Sequence, residues 1–449
     1  MHNKAGTFVT ITSGYYYIDK TDPEGTFTPP NSSGWLNVPI NVVFDPSDNL
    51  SGVLRWRYRT TNSDGVTWQL WDDNYIYGDV SETIPLDKSG IWKIRAEVTD
   101  NAGNKAIITS GTYYIDLESP SGTFNPDSSE WTNSDIAVTF KPSDNLSGVK
   151  QWRYRSSWDD GATWSEWSGY AYGDVSGTIN INTQGRWYLQ AEVIDNADNP
   201  NYVTSGLYLV DKEDPDGTFN PDSSGWTNSD IAVTFKPSDN LSGVKQWRYR
   251  SSWDDGATWS EWSGYAYGDV SGTININTQG RWYLQAEVID NADNPNYVTS
   301  GLYLVDKTPP SNSVSGQNVE SGEPITVIVS SSDTGGSGVR LNRYAWSTST
   351  DKPTSWETVY SENFSVTLAE AGIYYLHVET VDNAGNTTWN VYGTYRYYRV
   401  RITNVTIDGY WNHWRGQVDK LGKQLTVEPH RFLSLETVKI NVYTEGHAD

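Results

Sequence analysis

There is no cysteine among the 449 residues, so no disulfide staples the fold and neither thiolate chemistry nor a Cys-ligated metal is available. Histidine is nearly as scarce, with five in the chain and none between His2 and His377. That excludes His-based catalytic triads and His-rich metal sites from the long middle of the sequence. His413, His430 and His447 are too widely spaced to argue for a ligand set. No stretch approaches the ~18 apolar residues of a membrane span. Lys and Arg number 32 against 56 Asp and Glu, a formal charge of -24. Without clustered basic residues the chain is not expected to bind nucleic acid. The acidic balance fits a solvated surface and leaves divalent cations as plausible partners.

What the chain has instead is repetition. Residues 131 to 212 recur without a change at 226 to 307, an offset of 95. Self-similarity at a fixed period marks an array of folding units. About 95 residues is longer than a solenoid or propeller repeat and fits an autonomous β-sandwich, which at that size holds together by core packing alone. Copying a whole unit adds reach or valency rather than a new active site, so the chain is read as a spacer or binder and not as an enzyme.

Weaker copies flank the pair. Tyr113 to Asp116 and its counterparts ending at Asp19, Asp211 and Asp306 mark module ends, spaced by 97, 95 and 95 residues. The expected organisation is the last strand of a module in 1–20, modules 1 to 4 at 21–116, 117–211, 212–306 and 307–400, and the start of a further β domain at 401–449. The chain thus reads as part of something longer.

Within module 2, Ile136, Val138 and Phe140 alternate with polar residues, as do Trp187, Leu189, Ala191 and Val193, the period-2 pattern of strands with one face buried. Gly, Pro, Asn and Asp punctuate every gap and no window has helical spacing. The expected fold is all-β, a tandem array of Ig-like or fibronectin-type β-sandwiches in an elongated rod. The order Trp-Thr-Asn, Asp-Asn-Leu-Ser-Gly-Val, Trp-Arg-Tyr-Arg, Gly-Arg-Trp-Tyr-Leu and Asp-Asn-Ala, closing on Val-Asp-Lys-x-x-Pro, resembles the bacterial Ig-like repeats of large secreted and surface-anchored proteins. The resemblance covers residues 21 to 400. It implies an extracellular, cell-surface or secreted setting and a role as stalk, adhesive domain or accessory module of an exported enzyme.

Three constellations carry possible chemistry. Ser157 to Trp164, repeated at Ser252 to Trp259, matches the Ser-x-Asp-x-Gly-x-Thr-Trp pattern of the Asp box, known best from bacterial sialidases. Asp159 and Gly161, like Asp254 and Gly256, are expected to close a hairpin turn rather than act in catalysis. Trp158, Trp164 and Trp167, with Trp253, Trp259 and Trp262, lie on or beside that hairpin, where not all are buried. Trp164 to Ser168 spells Trp-Ser-Glu-Trp-Ser, which in cytokine receptors stacks Trp on Arg. Arg153 and Arg155 are placed to do the same here, at roughly 0.5–1 kcal/mol per exposed contact. An open aromatic platform for a glycan is the alternative.

Acidic loops are the third set. Asp144 precedes one core strand, Asp195 follows another, and the entering linker adds Asp116 and Glu118; in module 3 the corresponding residues are Asp239, Asp290, Asp211, Asp214 and Asp216. In a sandwich these loops meet the linker at one end, where calcium, which takes 6–8 oxygens, would stiffen a joint. Plain turn chemistry is the competing reading. The fourth linker, Thr308-Pro309-Pro310, lacks an acid, which argues against a site there. The partners expected are neighbouring domains of the same longer chain and a host or bacterial surface glycan or protein. No other cofactor is expected. The functional expectation is a non-catalytic stalk or adhesive repeat region. Accessory carbohydrate-binding modules of a secreted glycan-degrading enzyme are the alternative.

Overall fold

A computed structural model describes residues 10–62 and 64–398, and the backbone of 402–408 and 439–444. All regular structure among them is β-strand, and no helix is long and apolar enough to cross a membrane.

Module 2 shows the layout most fully. Its strands are β1 (Ser121–Asn125), β2 (Trp131–Thr132), β3 (Ile136–Ser143), β4 (Val149–Ser157), β5 (Ala171–Tyr172), β6 (Gly177–Ile181), β7 (Gly185–Asp195), β8 (Pro200–Thr204) and β9 (Tyr208–Val210). One sheet runs β1-β3-β6; the other runs β2-β9-β7-β4-β5, with β8 also on β7. All pairs are antiparallel except β2 on β9, which is parallel. This is a two-sheet Ig- or fibronectin-type sandwich.

The alternation along β3 puts Ile136, Val138 and Phe140 inside, where they meet Trp152 of β4, Leu189, Ala191 and Val193 of β7, and Tyr208 and Val210 of β9. The Phe140 and Trp152 rings lie 5.0 Å apart across the two sheets. Trp152 keeps its indole N–H satisfied by donating to Val175 O at 3.1 Å, as a buried indole requires. Gly122 on β1 is there because a side chain would strike Phe140: an added Cβ would sit 2.3 Å from its ring.

Module 1 builds the same core around Trp56 and Phe44. The counterpart of β7 is interrupted at Lys93, leaving Gly90–Trp92 and Ile94–Asp100. Residues 10–23 form no strand. The closing strand expected within 1–20 is not formed by residues 10–20, for which the described residues offer no sheet to pair with. Residues 1–9 lie outside the described set.

From Asp214 onward, module 3 repeats the strands of module 2, with Phe235 and Trp247 at its centre. Module 4 departs from the plan at that centre. Asn342 stands on the counterpart of β4 where Trp152 stands, wholly buried and tied to Ser331, Ser361 and Thr380. Beyond it, Ile402–Asp408 pairs antiparallel with Lys439–Thr444. Most of the expected further domain at 401–449 falls outside the described residues.

Candidate functional site

The linker aspartate, the loop before β4 and the turn after β7 meet at the entry end of modules 1, 2 and 4. Asp116, Asp144 and Asp195 each present one carboxylate oxygen, all within 4.8 Å of one another. Asp19, Asp48 and Asp100 do the same at module 1, and Asp306, Asp333 and Asp382 at module 4.

Local backbone chemistry sets each member. After β7 the chain turns through Asn196 to Asn199, and Asp195 Oδ1 accepts from the amides of Ala197 and Asn199, both at 2.8 Å. Asp144 Oδ2 accepts from the amides of Leu146 and Gly148 at 2.9 and 2.7 Å, closing an Asx-type turn. Asp116 spans the two modules. Its N–H donates to Leu36 O of module 1, and its Oδ2 accepts from the Ser147 amide of module 2 at 3.0 Å.

Asp116 and Asp195 are both 0 % exposed, and among the described residues no basic side chain is paired with either in a salt bridge. Buried charge of one sign is costly unless paired, hydrogen-bonded or metal-bound. Two unit charges 4 Å apart at an effective dielectric of 20 repel by about 4 kcal/mol. Burial accordingly pushes the Asp195 carboxyl above its ordinary range and the Asp116 charge adds to the rise, against hydrogen bonds from Asn199 and Ala197. Asp100 feels burial as well, yet hydrogen bonds from Asn104, Gly103 and Ala102 outweigh it and hold the carboxyl low.

The carboxylates suit a hard divalent cation. Oxygens around calcium at 2.3–2.6 Å lie at most about 5 Å apart, the spacing these groups have. Asp144 Oδ1 and Asp48 Oδ1 are shielded from solvent and accept no hydrogen bond from the described residues, so each of these two joints keeps a lone pair to offer. Three carboxylates would supply three of the 6–8 oxygens that calcium takes.

Other expected ligands are placed elsewhere. Glu118 is outside the group, its Oε2 accepting from the Asn145 side chain. Neither Asp214 nor Asp216 belongs to any such group. Asp216 opens the strand Asp216–Asn220 and its Oδ1 takes the Gly217 amide at 2.7 Å. Asp211 is buried and accepts from the Glu213 amide, and Asp239 and Asp290 hold the turns that Asp144 and Asp195 hold in module 2. Thr308-Pro309-Pro310 carries no acid, but Asp306 just before it, the counterpart of Asp19 and Asp116, brings a carboxylate to the fourth joint. The module-end Tyr-x-x-Asp spacing was the signal that pointed to it. Asn104, Asn199 and Asn386 bind both the turn Asp and the linker carbonyl, a role that their neutral side chains do not signal in the sequence.

At the other end of the sandwich the hairpin is a closed turn. Ser157 Oγ donates to Asp159 Oδ1 at 2.8 Å, Thr163 N and Oγ1 donate to Asp159 at 2.8 and 2.6 Å, and the Gly161 amide donates to Ser157 Oγ at 2.9 Å. Gly161 takes φ 85°, open to glycine at no steric cost. The Thr163 hydroxyl, then its amide, hold Asp159 below the ordinary carboxylate range. Asp254 and Gly256 repeat this.

The aromatic face is a ladder. Tyr170, Arg153, Trp167, Arg155 and Trp164 succeed one another with guanidinium-to-ring distances of 4.6, 4.8, 4.4 and 5.0 Å. Trp167 has an Arg on each side. Glu192 anchors the ladder: it accepts from Arg153 Nε at 2.5 Å, Tyr202 OH at 2.8 Å and Tyr170 OH at 3.2 Å. Trp259 and Trp262 repeat the arrangement in module 3. Trp158 stands apart, 56 % exposed and edge-on to Trp187; Trp253 is its copy.

No family description and no curated protein matches the chain. Solved structures do. The fibronectin(III)-like modules of Clostridium thermocellum CbhA align at 12% identity and a TM-score of 0.24, over 40% of this chain and 94% of that one. A 1.5-MDa bacterial ice-binding adhesin aligns at 12% and 0.27, over 64% and 99%. The ICAM-5 D1–D4 ectodomain fragment aligns at 11% and 0.33, over 84% and 100%.

Proposed function

We propose that this chain is a non-catalytic spacer or adhesive repeat region of an exported protein, with calcium held at its module joints. The observation that carries the reading is the repeated joint, in which a linker aspartate is gripped by the next module and sits beside two more carboxylates. A catalytic carboxylate set would have no reason to recur at successive module entries. A set of joints would recur at that spacing. When bound, calcium would neutralise the buried Asp116 and Asp195 and tie the linker to both loops of module 2.

Small-angle scattering and thermal melting of the whole chain, with calcium and then with chelator, test this. The expected result is a longer maximum dimension and a higher melting temperature with calcium. Identical profiles and melts in both conditions would sink the cation part of the reading. A compact particle in both would sink the spacer part.

One observation favours a second reading, that the modules bind a surface glycan. Trp158 and Trp253 expose their rings, and an uncovered ring face is what a sugar stacks on. A glycan-array signal lost on Trp158→Ala with the fold intact would promote that reading. Trp167 is poorly placed for the task, because a ring flanked by Arg153 and Arg155 has no free face.

A further inference from the structure

The joints are not equivalent. We infer that cation binding goes with the Asp-Asn-Leu-Ser-Gly loop, as at Asp48 and Asp144, and that the Asp306 joint is closed by the protein's own backbone and takes no ion. The inference rests on the calcium reading above and adds which joints respond.

The difference begins with one residue of loop length. Asp48 and Asp144 stand three residues before the serine whose amide binds the linker aspartate, Ser51 and Ser147. Asp333 stands four before its counterpart, Ser337. The longer loop carries Gly335 and Gly336. The Gly335 amide donates to Asp333 Oδ1 at 3.0 Å, while Gly338 N and Ser337 Oγ donate to Oδ2 at 2.7 and 3.4 Å. Both carboxylate oxygens are thereby used, whereas Asp48 and Asp144 each keep a buried Oδ1 with no donor.

The same loop fills space. A Cβ on Gly335 would fall 1.9 Å from Asp306 Oδ1, so the glycine backbone already presses on the linker carboxylate. Gly336 packs against Trp226, whose ring edge would lie 3.5 Å from an added Cβ. Asp306 Oδ1 also takes the Thr308 amide at 2.9 Å. The three carboxylates of this joint are as close together as those of the others. What separates the joints is the supply of free lone pairs and room, and a hard cation needs both.

Calorimetric titration of calcium into the whole chain counts the ions. Asp144→Asn and, separately, Asp48→Asn are expected to lower the count by one each, with circular dichroism confirming the fold. Asp333→Asn is expected to leave the count unchanged. Deleting Gly335, which restores the shorter spacing, is expected to add one ion. A drop of one ion on Asp333→Asn, or no drop on either of the other substitutions, overturns the inference while leaving calcium binding intact. No calcium binding by the unaltered chain overturns the calcium reading itself.

Discussion

The side-chain amide of Asn199 donates to the main-chain carbonyl of Asp116 at 2.9 Å, across 83 residues of sequence and the boundary between two modules. The same nitrogen holds Asp195 Oδ2 at 2.7 Å. One amide thus supports a buried carboxylate and fixes the linker to the module that follows. The contact recurs from Asn104 to Asp19 and from Asn386 to Asp306.

Removing this amide should therefore cost more than an ordinary turn contact. Asn199→Ala withdraws one hydrogen bond from the buried Asp195 carboxyl and one from the linker carbonyl. Hydrogen bonds to charged groups contribute about 1.5–3 kcal/mol, so a loss of about 2–3 kcal/mol for module 2 is expected in denaturant melts. Asn199→Asp should be worse, since it adds a negative charge beside Asp116 and Asp195. Equal stability of Asn199→Asp and the unaltered chain without calcium would show that the amide is incidental.

Acid should weaken the ladder. Burial alone would raise the Glu192 carboxyl, but the Arg153 guanidinium and the hydroxyls of Tyr202 and Tyr170 outweigh it and hold it below its ordinary value. Glu287 is held down in the same way. A depressed carboxyl contributes stability that is present above the unfolded value, about 4.3, and is lost as pH falls through the folded one. Melting temperature should therefore drop below about pH 4.3. The drop should be shallower in Glu192→Gln with Glu287→Gln, and a drop equally steep in that double variant would place the acid sensitivity elsewhere.

The sandwich was legible because burial on one face writes itself into a strand as alternation: Ile136, Val138 and Phe140 are all inside. The Trp and Arg residues of the ladder were legible for a similar reason, since alternate positions on one strand, Arg153 and Arg155, share a face. The joint was legible only in part. Asp144 and Asp195 announce themselves as turn residues, but sequence says nothing of how far a linker runs before it is gripped. By charge alone Asp214 and Asp216 are indistinguishable from a module-end aspartate, yet at the joints of modules 2 and 4 it is the module-end residue, Asp116 or Asp306, that reaches the loops. Asn199 was invisible for a different reason: its neutral side chain carries no charge pattern, and its partner is a main-chain carbonyl.

Alkali should act through one tyrosine per module. Tyr113 and Tyr303 are fully buried and donate their hydroxyls to Pro29 O and Pro221 O, both at 2.6 Å. Burial pushes each up to about 12, with Ser110 and Ser300 opposing slightly. Tyr208, on Pro126 O, is pushed up as well. Because the folded value is raised, this contribution is whole below the unfolded value near 10 and is lost as pH rises towards about 12. Absorbance at the tyrosinate band should show Tyr113 and Tyr303 ionising only together with unfolding. Smooth ionisation of every tyrosine near pH 10 with the fold retained would contradict the burial argument.

The last prediction compares two ways of filling the same core position. In module 4, Asn342 is 0 % exposed and satisfied: its Nδ2 donates to Ser331 Oγ at 2.8 Å and Ser361 O at 2.9 Å, and Thr380 Oγ1 donates to its Oδ1 at 2.6 Å. In module 2 the positions matching Ser331 and Thr380 are Pro142 and Val193, so neither hydroxyl is at hand and only the Val175 carbonyl, which takes the Trp152 N–H, is left as an acceptor. Trp152→Asn would open a cavity beside Phe140, for which loss of a large core side chain costs about 3–5 kcal/mol. It would also bury an amide short of partners, at about 1–3 kcal/mol more. The expected outcome is module 2 unfolded at room temperature while modules 1, 3 and 4 remain native, seen as loss of a quarter of the calorimetric unfolding enthalpy. The reverse change, Asn342→Trp, should also destabilise, because Ser331 and Thr380 would lose their partner to a ring too large for the site. If either substitution proved neutral, the two cores would be interchangeable and the polar network of module 4 would have no role in specifying its packing.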